Sequence, residues 1–243
     1  LHTLATKYPD VLRICIMSGS FVQRGEPALF SKFDRARWAI LGGTDIVIEL
    51  PTLYSLGSAQ LFASGAIQLI KSLSIDMLSF GSETTDLNQL IHMAKRMDCE
   101  STQNELRNYL NEGMSYGTAF RKALGSESLS TPNALDMCST LQSTIPTPIL
   151  DDMTHRITND DYVDYNRYYN MVHMLSRRMN ANELERFVDF TEGIEHLWLK
   201  AAQQPTWEAA INQIKSKRYT YARLQRMGAY LTLGITRTSM AEN

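Results

Sequence analysis

The chain holds 243 residues, 44% hydrophobic and 21% charged, with a formal net charge of −2. That length suits one large domain or two small ones, and the near-neutral charge excludes a nucleic-acid coat over the whole surface while leaving a local basic patch open. No apolar run approaches the roughly 20 residues that span a bilayer and the opening Leu1-His2-Thr3-Leu4 has no secretory pattern, so a cytoplasmic protein is expected.

In chain order, Val11 to Met17 is a near-continuous apolar run bounded by Gly19, the pattern of a strand buried on both faces. Asp34 to Leu41 reads as a short helix stopped by Gly42-Gly43. Asp45 to Leu50 is a second strand closed by Pro51, and Asp76 to Phe80 a third closed by Gly81. Between these, Ser55 to Leu73 carries Leu56, Ala59, Ala63, Ala66, Ile67 and Ile70 at helical spacing. Strands alternating with helices predict a Rossmann-like parallel sheet, an α/β fold whose ligands bind beyond the carboxyl ends of the strands. Short helices are expected at Leu87 to Met97, Thr102 to Asn111 and Tyr116 to Leu124. Ser143 to Pro148, with Pro146 and Pro148, is expected to be neither regular helix nor central strand. A domain boundary is placed at Asp151, giving a first domain over 1–151 and an all-helical domain over 152–243. The latter is expected to hold helices at Tyr162 to Met179, Glu183 to Phe190, Thr191 to Ala202, Trp207 to Lys215 and Tyr219 to Gly234, with Thr191 and Thr206 as starts.

Three segments carry possible chemistry. Ser18, Gly19 and Ser20 leave a strand end and are small enough for backbone amides to approach a ligand, with Gln23 and Arg24 behind them; a sharp surface turn explains the same residues. Phe80-Gly81-Ser82-Glu83 can open the backbone to a nucleobase or phosphate, or be an ordinary glycine turn. Lys215, Lys217, Arg218, Arg223 and Arg226 are interleaved with Tyr219 and Tyr221, which suits phosphates and stacked bases, or a solvated helix start capped by Thr220. Asp45 and Glu49 flank a strand, as metal ligands or as strand-exit residues. His2, His92, His155, His173 and His196 form no metal pattern, and Cys15, Cys99 and Cys138 have no metal or redox spacing, which fits a reducing compartment.

Ser18-Gly19-Ser20-Phe21-Val22-Gln23-Arg24-Gly25-Glu26-Pro27 resembles the Met-Ser-Gly-Asn-Phe-Val-Gln-Arg-Gly-Glu-Pro signature of the tRNA(Met) cytidine acetate ligase family, with Ser20 replacing Asn. Asp45 to Pro51, Phe80 to Glu83, Ser130 to Asn133, Thr191 to Glu195 and Lys217 to Thr220 follow in the family's order, so the resemblance covers nearly the whole chain. It implies a nucleotidyltransferase domain of the His-x-Gly-His type followed by a helical domain facing tRNA. It further implies that ATP activates acetate to acetyl-adenylate; Mg2+ is expected with ATP, with no ligand set identified in the sequence. The acetyl group then passes to N4 of the wobble cytidine of elongator tRNA(Met), giving N4-acetylcytidine. By the same resemblance Gly81 and Asn133 contact the nucleotide, and Ser18, Gly19 and Ser20 lie near the reacting groups, with Arg24 beside them as a catalytic candidate suited by its own chemistry to phosphate or carboxylate. Lys217, Arg218, Arg223 and Arg226 are expected to form an RNA surface.

The sequence departs from the family pattern in two ways. The His-x-Gly-His motif is expected just before Leu1, and a Ser-, Thr- and Arg-rich segment is expected between about Asn133 and Ser143, where Ala134 to Leu141 is too short to hold it. With no initiator Met, and with a carboxyl-terminal part of the family pattern expected beyond Asn243, the chain as written is expected to lack essential residues. Two alternatives stay open: another small-molecule nucleotidyltransferase, and a non-catalytic RNA-binding protein on the same fold.

Overall fold

The computed structural model describes residues 2–23, 25–80, 86–97, 99–114, 119, 122–123, 145–191, 193–216 and 218–241. The order opens with α1 (His2–Lys7), β1 (Ile14–Ser18), α2 (Lys32–Leu41) and β2 (Ile46–Leu50). β1 and β2 pair in parallel, Ile14 opposite Ile46 through Ser18 opposite Leu50, with α2 in the connection. Both strands therefore end at the same edge, Ser18 beside Leu50. Ser31 caps α2 by accepting from the Asp34 amide, and the helix stops at Gly42-Gly43, where Gly43 adopts φ +100° as the sequence predicts.

The sheet corrects two expectations. β1 is only partly covered along its whole length, and in β2 Ile46 and Glu49 are exposed while Leu50 is buried. Among the described residues the sheet has two strands, and their partial exposure shows that neither is sandwiched on both faces. Asp76 to Phe80 is not a strand: an apolar run without a ladder partner stays irregular, and Met77, Leu78 and Phe80 are exposed.

The predicted helix over Ser55 to Leu73 is broken into α3 (Thr52–Ser55) and α4 (Ala59–Ser72), because Ser58 caps a new helix by accepting from the Leu61 amide. The expected apolar stripe is largely open to solvent. The buried residue of α4 is Gly65, where an added Cβ would strike the Tyr54 ring.

By its internal contacts the chain falls into two units, one of residues 1–75, 144–215 and 219–243, the other of residues 76–143 and 216–218. The second holds α5 (Leu87–Met97) and α6 (Glu100–Asn111), with Leu106, Ala119 and Ala123 as its buried cluster. Asp151, where a boundary was expected, lies inside α7 (Thr147–Thr158), in the first unit. α7 forms across the Pro-rich stretch because Pro146 caps it and Pro148 falls in the first turn, where no intrahelical donor is lost. Phe30, Trp38 and Ile149 pack α2 against α7. The contact is fastened by charge: the Trp38 indole donates to Asp152 at 2.6 Å, Arg37 pairs with Asp152, and Arg156 pairs with Asp34 at 2.6 Å.

The main core lies among α8 (Tyr165–Ser176), α9 (Ala181–Leu184), α10 (Ile194–Ala201), α11 (Trp207–Ile214) and α12 (Tyr221–Leu233), with α13 (Arg237–Ala241) following. Asp164, Thr206 and Thr220 cap α8, α11 and α12 with their side chains, and Asn180 with Glu183 forms a capping box on α9. Glycine begins α10 in place of the expected Thr191, with Gly193 at φ +85°. Leu184, Phe190, Ile194, Leu224 and Met227 are fully buried, each contributing about 1.5–3 kcal/mol of apolar burial. Tyr169 stacks on Trp207 with ring centroids 5.2 Å apart, and Trp198 meets Phe190 and Trp207 edge-on. His173 is buried, with Nε2 donating to the Ala202 carbonyl at 3.0 Å.

Candidate active site

The carboxyl ends of β1 and β2 carry the features that a ligand-binding edge needs. Ser18 ends β1, Gly19 is buried, and Ser20 is exposed. An added Cβ at Gly19 would fall on the Glu49 carboxylate at the end of β2, so the loop passes in direct contact with this carboxylate and a side chain here would displace it. Glu49 accepts from the Lys32 ammonium at 2.6 Å and is exposed, which makes it a paired strand-exit residue. Asp45 lies at the opposite end of β2, held by the Arg13 amide at 2.7 Å and by its guanidinium at 3.3 Å. Those bonds keep the Asp45 carboxyl below its usual range. The two acids are therefore separated by the strand and share no metal position. Among the described residues no three His, Cys, Asp or Glu side chains converge to hold a metal ion.

Arg35, on the first turns of α2, reaches back under the loop. Its Nη2 donates to the Ser18 carbonyl at 2.9 Å and also to the Gly19 carbonyl, and its Nε donates to the Phe30 carbonyl at 3.3 Å. Burial lowers the Arg35 pKa from its ordinary value, while the nearby Glu49 charge raises it. Sequence reasoning missed Lys32 and Arg35. A signal was present: two cations three residues apart at a helix start oppose the positive end of the helix dipole, and such a violation of a local rule marks a site.

Beyond Ser20 the chain folds back as a small hairpin. Phe21 bridges Pro27, the Val22 amide donates to the Glu26 carbonyl at 2.9 Å, and the Gly25 amide donates to the Val22 carbonyl at 2.8 Å. Gly25 sits at φ +81°, and an added Cβ would lie 2.5 Å from the backbone of Arg226 on α12. The hairpin is thus seated directly on the helical core. Phe21 joins that core against Tyr168. The Tyr165 hydroxyl donates to the Pro27 carbonyl at 3.2 Å. The buried Gln225 amide donates to Glu26 at 2.9 Å and to the Tyr169 hydroxyl at 2.7 Å. Burial and the Glu26 charge together raise the Tyr165 hydroxyl above its ordinary pKa.

The expected basic face of α12 is altered by this seating. Arg226 is partly buried beneath Gly25, with Asp189 at 3.9 Å, so it is not an open phosphate contact. Arg223 lies over the Tyr219 ring at 5.1 Å, a cation–aromatic pair at the helix start. Arg218 is exposed and has interactions of its own. Arg24, Gly81, Asn133 and Lys217 lie outside the described residues, as does the segment near 134–142. No helix among the described residues is long and apolar enough to cross a membrane.

Comparison with known proteins gives one consistent result. A family model described as HIGH Nucleotidyl Transferase matches residues 1–139 and 133–243. A tRNA(Met) cytidine acetate ligase of Fusobacterium nucleatum subsp. nucleatum is 30% identical over 94% of this chain and 71% of its own length. One of Geobacillus sp. is 33% identical over 92% of this chain and 71% of its own. The Fusobacterium alignment runs over 280 residues, more than the 243 of this chain, so that relative holds residues without a counterpart here. A crystal structure of Thermotoga maritima TmcAL bound with alpha-thio ATP matches with a TM-score of 0.78, over 99% of this chain and 72% of that one. At 20% identity, that likeness establishes the fold: an α/β nucleotidyltransferase architecture with a helical part.

Proposed function

Because the chain belongs to the tRNA(Met) cytidine acetate ligase family, we propose that it activates acetate with ATP and acetylates N4 of the wobble cytidine of elongator tRNA(Met). The observation that supports this most is the seating of the Ser18–Pro27 segment. It leaves the strand ends, where nucleotides bind in such folds, and its hairpin rests on the helical core through Gly25, Glu26 and Pro27.

In the first step an acetate oxygen attacks the α-phosphorus of ATP and the bond to pyrophosphate breaks, leaving acetyl-adenylate. In the second, the cytidine N4 amine attacks the acetyl carbon, the bond to AMP breaks, and N4 gives up a proton to solvent. Negative charge gathers on phosphate oxygens in the first step, so donors fixed in advance lower its barrier. The Ser18–Ser20 backbone and Arg24 serve that need. Gly81 and Asn133 hold the nucleotide. Mg2+ would accompany the ATP phosphates and offset part of their charge. The Arg223–Tyr219 pair, with Lys217 and Arg218, suits RNA phosphates and bases. Arg226, beneath Gly25, serves by seating the hairpin. Action on tRNA places the protein in the cytoplasm.

The test is transfer of labelled acetate by the intact protein with ATP and tRNA(Met), followed by nuclease digestion and chromatography of the nucleosides. Label in N4-acetylcytidine, dependent on ATP, is the expected result. Folded protein that binds tRNA(Met) but transfers no label would turn the assignment toward a binding protein.

A further inference from the structure

We infer that Arg35 is a positioning residue for ATP: by holding the Ser18 and Gly19 carbonyls it sets the course of the Ser18–Ser20 loop, and with it the Ser20 amide, at the strand end where the nucleotide binds. In a trans peptide the carbonyl and the following N–H point in opposite directions. Arg35 takes the carbonyls of Ser18 and Gly19. The N–H of Ser20 is therefore turned away from it as a donor for an anion, while the N–H of Gly19 faces the Leu50 carbonyl across the parallel ladder.

Two further contacts fix the arrangement. The Phe30 carbonyl holds Arg35 Nε at 3.3 Å, anchoring the planar guanidinium at its stem. Glu49 lies against Gly19 from the other strand. A guanidinium presents several donors in one rigid plane, whereas an ammonium is a point charge on a flexible stem. Lysine at this position therefore keeps the charge but not the simultaneous hold on three carbonyls. Arg35 acts through the loop and does not itself touch the phosphates.

This role rests on the ATP-dependent reaction proposed above, and its test separates the two. R35Q and R35K are made in the intact protein, and ATP affinity is measured by titration calorimetry beside tRNA(Met) affinity and thermal midpoint. Acetate-dependent pyrophosphate exchange is followed over a range of ATP concentrations. R35Q is expected to weaken ATP binding about tenfold to a hundredfold, the size expected for lost charge-assisted hydrogen bonds, with tRNA(Met) affinity unchanged. The KM for ATP rises in step and kcat falls, because the loop also faces the transition state. R35K recovers only a minor part. Unchanged ATP affinity in folded R35Q overturns the role, and so does full recovery in R35K, which would mean that charge alone suffices. Should R35Q fail to fold, R35K decides: weakened ATP binding supports the role and wild-type binding removes it. If the wild-type protein binds ATP but shows no acetate-dependent exchange, the acetate assignment fails while the calorimetric result for Arg35 stands.

Discussion

The strand edge and the helical core of the first unit are built on opposite terms. Around α8 to α12, apolar and aromatic side chains are buried to completion, with Phe190, Ile194 and Leu224 inaccessible to solvent. At the strand ends, β1 is half covered, Glu49 is exposed, and the loop is held by hydrogen bonds to Arg35 and by the close approach of Gly19 to Glu49. The core is where stability resides, and the edge is where polar groups stay available to a ligand. The hairpin from Phe21 to Pro27 belongs to both. Its apolar member Phe21 enters the core, and its polar member Glu26 is tied to Gln225. Binding geometry at the edge is therefore set by packing in the helices.

This contrast can be broken from either side. Trp198→Ala in the core should cost the most, about 3–5 kcal/mol in urea denaturation, because it removes a ring packed on Phe190 and Trp207 and the indole that donates to Ser176. Activity per folded molecule should persist. Gln225→Ala should cost about 1–3 kcal/mol, since the Glu26 carboxylate and Tyr169 hydroxyl lose their shared donor. This variant should also impair acetate activation, because the hairpin loses a tie to the core, and equilibrium unfolding with exchange kinetics would show the two effects together. Gly19→Ala should leave stability within about 1 kcal/mol of wild type, the worth of the exposed Lys32–Glu49 pair that its methyl disturbs. Its exchange rate should nevertheless fall by about a hundredfold, the size seen when one preorganised donor is lost. A Gly19→Ala protein with full activity would show that the loop is only a turn.

The smallest effect depends on pH. The Trp38 indole, then Arg37 and Arg156, hold the Asp152 carboxyl below its usual range. A carboxyl depressed on folding stabilises the native state above its unfolded pKa of about 3.9, and that contribution disappears as pH falls through the lower folded value. Asp152→Asn should therefore be less stable than wild type at neutral pH, and the gap should close in acid below pH about 4. Urea midpoints across that range would check the sign, and a gap that widened in acid would contradict it.

Much of this was legible in the sequence. β1, β2, the stop at Gly42-Gly43 and the caps Thr206 and Thr220 follow from apolar runs, glycine and hydroxyl side chains, all local signals. Ser18 to Ser20 falls at a strand end as the alternation of strands and helices predicts. What escaped depended on partners distant in the chain. Asp76 to Phe80 has strand composition but no ladder, and α7 hides behind prolines that are harmless in a first turn. Arg226 reads as a surface charge until Gly25, some two hundred residues earlier in the chain, is seen to cover it. Arg35 reads as one more helical cation, because the carbonyls that it holds carry no trace in residue type.

The most direct measurement is exchange of labelled pyrophosphate into ATP by the intact protein, with and without acetate and with and without tRNA(Met). Formation of acetyl-adenylate at the strand-end loop predicts exchange that requires acetate. Exchange that ignores acetate, or folded protein that binds ATP and exchanges nothing under any of these conditions, would contradict it.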